Sequence, residues 1–529
     1  MAIKDYFLEG IQKGWNVVNA TTLQQDIVID ADVIIVGTGA GGGTSAEIFA
    51  QAGLRVVMVE DGPLKTSTDF KMNEVEAYQT LYQDNGARAT KDAAISILQG
   101  RAVGGTTVIN WTSSFRTPTP TLEHWSQAHG ITGLGEKDMA PWFELMERRL
   151  NVGKWIVPPN KNNAHLQQGC EKMGWDWKTI PRNVKGCWDL GYCGMGCPTN
   201  AKQSMLVTTI PGALKNNAQL IYRARAEKFN FTGDQVSSVT CTALADDGIQ
   251  TTGKTLTLRG KYFISAAGAI NGPGLLLRSK TPDPYQLIGK RTFIHPVVAS
   301  FAVMPGEVAP YYGAPQSIYS DHFQWKDGSI GPMGFKLEVP PLHPALTSAW
   351  QGLHGEALLK EMQHLPNMHA SLALLRDGFS EESQGGSVEL RSDGSPVLDY
   401  QPNDYFWDGA RRAHLAMGEA QFAVGADRVK PLHMDGKYAS SFNALKTQID
   451  SLLYKNQRVS ISTAHLMGGC TMGGDEKTSV TDNTGRHHQL ENLYVFDGSL
   501  FPTSIGANPQ LSIYGLTAKL ATDLTKKIT

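Results

Sequence analysis

Cysteine is scarce in this chain: six in 529 residues cannot form a disulfide framework of the kind that holds small secreted domains together. Neither sign of charge dominates. Lys plus Arg is 48 against Asp plus Glu at 50, a formal net charge of -2, and no basic block is present that would track a phosphate backbone. Nucleic acid is therefore not an expected partner. No apolar run reaches the ~18 residues of a membrane-spanning helix, and the N-terminal segment MAIKDYFLEGIQKGW lacks the charged, apolar and cleavage-site pattern of a signal peptide. The expectation is a cytoplasmic protein with at most peripheral membrane contact. Phe7, Ile11 and Trp15 stand four apart and would give residues 4–18 one apolar helical face, read as docking on its own protein. Internal repeats and low-complexity tracts are also missing.

With 41% hydrophobic residues, the chain can bury the cores of two or three domains. DVIIVGTGAGGGTSAEIFAQAGLRVVMVED reads as strand, glycine turn, small-residue helix and second strand, a βαβ unit. Apolar strands recur far downstream at Tyr262–Ala267 and Leu493–Phe496, so a Rossmann-like α/β domain assembled from distant segments is expected. Residues 1–118, 200–300 and 456–529 are assigned to it. Residues 119–199 and 301–455, rich in Trp, Tyr, His, Pro and Met, are assigned to an α+β substrate domain with an antiparallel sheet. Within the latter, SVELRSDGSPVLDY at 387–400 predicts a hairpin turning at Asp393-Gly394.

Gly37, Gly39 and Gly42 form G-x-G-x-x-G between a strand and a helix, the arrangement that brings backbone amides and a helix N-terminus to a pyrophosphate. Glu60 ends the second strand, where a carboxylate binds ribose hydroxyls and disfavours a 2′-phosphate. This unit alone does not separate FAD from NAD.

Later segments do. GRAVGGTTVINW, Gly100 to Trp111, then AAGAINGPGLLLRS, Ala266 to Ser279, then GKRTFIHP ending at His295-Pro296, then STAHLMGGCTMG, LYVFDGSLFP and GANPQLSIYGLTAKLA at 462–473, 493–502 and 506–521 follow one another in order. The chain thereby resembles the glucose–methanol–choline family of FAD-dependent oxidoreductases over nearly its whole length. The resemblance implies FAD held by Gly37, Gly39, Gly42, Glu60, Arg101, Gly104, Gly105, Thr106, Asn110, Ala267, Asp497, Gly498, Asn508 and Pro509. It also implies a catalytic pair, His465 and Asn508, where some members carry two histidines.

That pair suits alcohol oxidation, which removes a hydroxyl proton and a carbon-bound hydride. His465 is assigned as the base, because a histidine titrates near neutrality, and Asn508 as the donor to the developing alkoxide. Asn508-Pro509 also reads as the cap and first turn of a C-terminal helix. The remaining histidines are assigned to packing or surface.

Cys187, Cys193 and Cys197 resemble the three-cysteine motif of bacterial FAD glucose and fructose dehydrogenases, where it holds a 3Fe-4S cluster feeding a cytochrome subunit; the same segment resembles a flavin-side loop of long-chain alcohol oxidases. The leading expectation is an alcohol dehydrogenase passing electrons to a cytochrome, quinone or dye. Co-export to the periplasm with a cytochrome c or small-subunit partner would go with it. An oxidase making hydrogen peroxide is the alternative, followed by a flavin-bound lyase or a non-catalytic FAD-binding protein. Residues 334–355 resemble the hydrophobic-alcohol branch, so the substrate is expected to be apolar, with Trp111, Phe335 and Trp350 lining its pocket.

Overall fold

VIIV at Val33–Val36 and VVMVE at Val56–Glu60 are buried along their whole length, as strands with both faces covered must be. They form the middle of a six-stranded parallel sheet in the order Asn16–Asn19, Gln219–Tyr222, Val56–Glu60, Val33–Val36, Tyr262–Ser265, Leu493–Val495. The computed structural model describes residues 3–529. The four strands anticipated from sequence lie side by side, while two further strands, Gln219–Tyr222 and then Asn16–Asn19 at the edge, extend the sheet.

Helices Ala40–Gln51 and Gln510–Ile528 pack against each other, with Thr209–Lys215 beside the first and Glu136–Arg149 beside the second. A second sheet joins the meander Ala224–Thr232, Gln235–Leu244 and Thr251–Arg259 to Ile27–Asp30.

The other large layer is an eight-stranded, mostly antiparallel sheet. Its order is Ile95–Ile97, Ile461–Thr463, Val297–Val303, Met368–Leu375, Phe335–Glu338, Ile318–Phe323 and Lys178–Thr179, with Arg428–Pro431 also paired to Val297–Val303. Helix Asp404–Ala423 covers one face. Two of these strands, Ile95–Ile97 and Ile461–Thr463, come from stretches assigned by sequence to the nucleotide domain. The two layers are thus stitched together where the site lies.

Hairpin Ser387–Leu390/Pro396–Asp399 forms in the expected register, Gly394 taking a positive φ of 80° at its turn. It packs on helix Gly268–Arg278 and lies outside the large sheet. The N-terminal helix is shorter than the pattern suggested, Tyr6–Gln12, with Trp15 folded back edge-on against buried Phe7 at 5.5 Å. Among the described residues no helix is long and apolar enough to cross a membrane.

Candidate active site

The glycine turn after Val33–Val36 is shaped by crowding. Gly37 holds φ 98°, and a Cβ on Gly42 would stand 1.9 Å from the Gly37 carbonyl oxygen. Gly39 is different: a Cβ there would meet nothing nearer than Gly105 Cα at 3.9 Å, so the protein leaves space in front of it. Gly104 (φ 98°) and Gly105 (φ 54°) form the second turn, which closes onto the first.

Thr38 joins the two turns. Its hydroxyl donates to Glu60 Oε2 at 2.7 Å and accepts from the Gly104 amide at 2.9 Å, while its own amide donates to the same Glu60 oxygen. The Gly62 amide donates to Oε1. Glu60 therefore organises the turn besides facing the cavity, and burial beside Asp61 pushes its carboxyl up to about 7.

Arg101 donates to Asp61 and to the Gly248 carbonyl at the same end. Thr106 Oγ1 accepts from the Gly100 amide and closes the second turn. Asp497 Oδ2 accepts from the Gly268 amide at 2.7 Å, tying the last parallel strand to the helix that starts after Ala267; Gly498 follows it along the wall.

Except for Gly42, Gly62 and Gly104, which shape the turns from behind, these residues line a cavity of about 870 Å³ between the two layers. At its far end stand His465, Asn508, Pro509 and Asn110. Asn110 donates to Gln510 Oε1 at 2.7 Å, and Gln510 in turn donates to the Ser113 carbonyl, bracing the start of helix Gln510–Ile528 against the second glycine turn. Pro509 is the cap residue of that helix. Asn508 does not cap it: its Nδ2 donates instead to Glu338 Oε2 at 3.1 Å, so the capping expectation yields to a long-range partner.

His465 lies 3.2 Å from His295, Nδ1 to Nδ1. His295 is buried at φ 48°, held there by Asp377, whose two carboxylate oxygens accept from the Ile294 and His295 amides at 3.1 Å each. This histidine, assigned by sequence to packing or surface, is the neighbour of His465; its place in the His-Pro motif was the available signal. Burial and the Lys336 cation hold His465 down at about 4, and burial holds His295 well below its ordinary value. Both rings are neutral at physiological pH.

Trp111 and Trp350 line the cavity, together with Val297, Leu346, Leu372 and Leu374. Phe335 does not. Along Phe335–Glu338 the side chains alternate, so Phe335 stacks on Phe323 at 4.7 Å in the core on the other face, and Lys336 and Glu338 turn the opposite way.

Nor do the three cysteines converge as ligands. The Asp189 amide donates to Cys187 Sγ, Arg182 to Cys193 Sγ, and the Lys202 amide to Cys197 Sγ. Among the described residues no group of three or more His, Cys, Asp or Glu side chains is arranged to hold a metal ion. The expectation of a 3Fe-4S site therefore finds no support among the described residues. What the segment does instead is wall the cavity through Gly194 and Met195, with Lys202 Nζ donating to the Val108, Asn110 and Cys193 carbonyls and clamping it to the second glycine turn.

The site fits FAD on its own geometry. Two facing glycine turns leave Gly39 uncovered, a carboxylate sits at the ribose end, and a polar pair waits at the far end. A dinucleotide fold whose cavity continues into a second, antiparallel layer offers one chamber for a flavin nucleotide and a substrate beside it. Residues 78–297 and 382–517 match the N-terminal and C-terminal models of the GMC oxidoreductase family. The chain belongs to that family.

It is 28% identical over 523 residues to a long-chain-alcohol oxidase of Arabidopsis thaliana, covering 94% of this chain and 67% of the relative. To an uncharacterized GMC-type oxidoreductase of Mycobacterium tuberculosis it is 30% identical over 508 residues, covering 95% and 77%. Among solved structures, pyridoxine 4-oxidase from Mesorbium loti aligns with a TM-score of 0.67 at 16% identity, covering 93% of this chain and 98% of that one. Formate oxidase of Aspergillus oryzae aligns at 0.68 and 15%, covering 95% and 99%. These likenesses carry the fold.

Proposed function

We propose that the protein oxidises an apolar primary alcohol to the aldehyde and returns the electrons to molecular oxygen. The observation that carries this reading is one cavity in which His465 and Asn508 meet an apolar wall of Val297, Leu346, Leu372, Leu374, Trp111 and Trp350. The names of the plant relatives, long-chain-alcohol oxidases, support both the substrate class and oxygen as acceptor. They move the reading from an external cytochrome to oxygen, as does the lack of convergence among Cys187, Cys193 and Cys197.

Bound FAD supplies the acceptor for the hydride that leaves the alcohol carbon. His465 receives the hydroxyl proton. For its Nε2 to be the basic atom, Nδ1 must carry the ring proton and donate it to His295 Nδ1, so His295 acts as a neutral acceptor fixing the tautomer. Because burial and Lys336 keep His465 neutral down to about 4, the base is available throughout the neutral range. Asn508 donates to the alcohol oxygen as negative charge builds on it. The apolar wall shelters the alkyl chain and keeps water from the reacting carbon.

The test is anaerobic addition of dodecanol, and of glucose as the polar control, to FAD-loaded protein, followed by admission of air. Bleaching of the flavin band by dodecanol, then recolouring with stoichiometric hydrogen peroxide, is the expected result. Bleaching by glucose and not by dodecanol refutes the substrate class, and recolouring only with an added dye refutes oxygen as acceptor.

A further inference from the structure

We propose that Glu338 is the positioning residue of the catalytic pair: seated behind Asn508, its carboxylate fixes the orientation of the Asn508 amide and turns the second N–H of Nδ2 toward the alcohol oxygen. The inference rests on the reading of Asn508 as the donor to that oxygen.

Glu338 is fully buried in the middle of the large sheet, on a strand flanked by Met368–Leu375 and Ile318–Phe323. An apolar residue would be cheaper there, because a carboxylate loses its hydration on burial. Oε2 accepts from Asn508 Nδ2 at 3.1 Å and from Gln316 Nε2 at 2.6 Å, and Gln316 is itself fixed by Ser113 Oγ, which donates to its Oε1 at 2.7 Å. Asn508 and Gln316 line the cavity, whereas Glu338 stands one layer back. Glu338 Oε1 and Asn508 Oδ1 are both buried without a partner.

A primary amide presents two N–H groups on one side and an oxygen on the other. A carboxylate only accepts, so an ionised Glu338 selects the orientation with Nδ2 toward itself; the flipped amide would set two acceptors face to face. One N–H is consumed by Glu338 and the other remains for the substrate. A protonated Glu338 can donate to Asn508 Oδ1 as well, and the amide then loses its single orientation.

The charged and titratable groups around it are few. Lys336, on the same strand and face, favours the ionised form, and Asp321, which pairs with Lys336 at 3.2 Å, opposes it. The Lys336 ammonium lies over the Phe115 ring at 3.5 Å and the Tyr319 ring at 4.0 Å. His465 and His295, reached by the same Lys336 field, are neutral. Burial prevails and raises the Glu338 carboxyl to about 7. His465 titrates near 4, so the two groups are separable by pH.

The experiment uses FAD-loaded wild type, Glu338→Gln and Glu338→Ala. Anaerobic flavin reduction by dodecanol is followed by stopped flow across the neutral range, with FAD content and melting temperature recorded for each. The wild-type rate rises with pH through about 7. Glu338→Gln, which keeps acceptor and shape, loses that rise. Glu338→Ala lowers the limiting rate roughly ten- to hundred-fold with KM held, the signature of an interaction made in the transition state.

Infrared difference spectra give a readout independent of turnover: the buried Glu60 carboxyl titrates in the same range, so the wild-type-minus-Glu338→Gln spectrum isolates the Glu338 protonated-carboxyl band, which vanishes on titration through about 7. A merely structural carboxylate would shift melting and FAD content and leave the pH profile of the surviving holoenzyme unchanged. Wild-type rates and pH dependence in both variants overturn the inference alone. Wild-type flavin that no alcohol reduces overturns the reading of the site, and this inference with it.

Discussion

Gly39 and Gly42 belong to the same sequence motif, yet the structure assigns them opposite consequences on substitution by alanine. A methyl on Gly42 would stand 1.9 Å from the Gly37 carbonyl oxygen, 2.9 Å from its carbon and 3.4 Å from Ala266 Cβ. Backbone on backbone has no rotamer to yield, so the strain lies at or beyond the upper end of the ~1–3 kcal/mol of ordinary overpacking. Total stability of about 5–15 kcal/mol makes that a large fraction. On Gly39 the methyl meets only Gly105 Cα at 3.9 Å, and the residue is the uncapped N-cap of helix Ala40–Gln51, so the protein loses less than about 1 kcal/mol.

The methyl does enter the space reserved for the cofactor's phosphates. Losing one hydrogen bond to a charged phosphate costs ~1.5–3 kcal/mol, which is roughly 10- to 150-fold in Kd. The expected outcome is that Gly39→Ala melts like wild-type apoprotein and binds FAD that much more weakly, while Gly42→Ala melts markedly earlier. Circular dichroism melting of the apoproteins and fluorescence titration with FAD measure both. A wild-type Kd in Gly39→Ala, or equal loss of melting temperature in the two variants, refutes the division of labour between the glycines.

His465→Ala should keep FAD and slow flavin reduction by orders of magnitude, and an unchanged reduction rate would remove His465 from the mechanism. Replacing Cys187, Cys193 and Cys197 together by serine should leave the flavin spectrum and the alcohol-driven bleaching within a few-fold of wild type; iron at about three atoms per chain in the wild type would reverse the assignment. Glu74 accepts from the Ala345 and Leu346 amides at 2.7 Å each, capping the helix that carries Leu346 and Trp350 into the cavity. Glu74→Ala should therefore cost about 0.5–2 kcal/mol of local helix stability and raise KM for dodecanol several-fold with kcat nearly kept, as steady-state kinetics would show.

The nucleotide half of the fold was legible because its signals are local: an all-apolar strand, three glycines at fixed spacing and an acid at the end of the next strand lie within thirty residues. The strands at 16–19 and 219–222 were not, since four residues with partial burial carry little periodicity. Phe335 shows where alternation runs out. F-K-L-E gives the period but not the phase, and in a sheet covered on both faces the apolar pair took the core while the charged pair took the cavity side. Asn508 failed as a cap for a related reason: Asn-Pro is a short-range signal, and its partner Glu338 lies 170 residues away. The cysteine spacing was legible as a cluster, but spacing cannot say whether thiols face one another.

The parallel sheet described above is completed by Leu493–Val495, and Asp497 and Asn508 follow only then. The order of synthesis thus runs opposite to the order of need. The glycine turn leaves the ribosome long before the strand, carboxylate and amide that finish its chamber. A chain interrupted before Leu493 therefore lacks the strand that completes the parallel sheet and the Asp497 and Asn508 side chains that line the cavity.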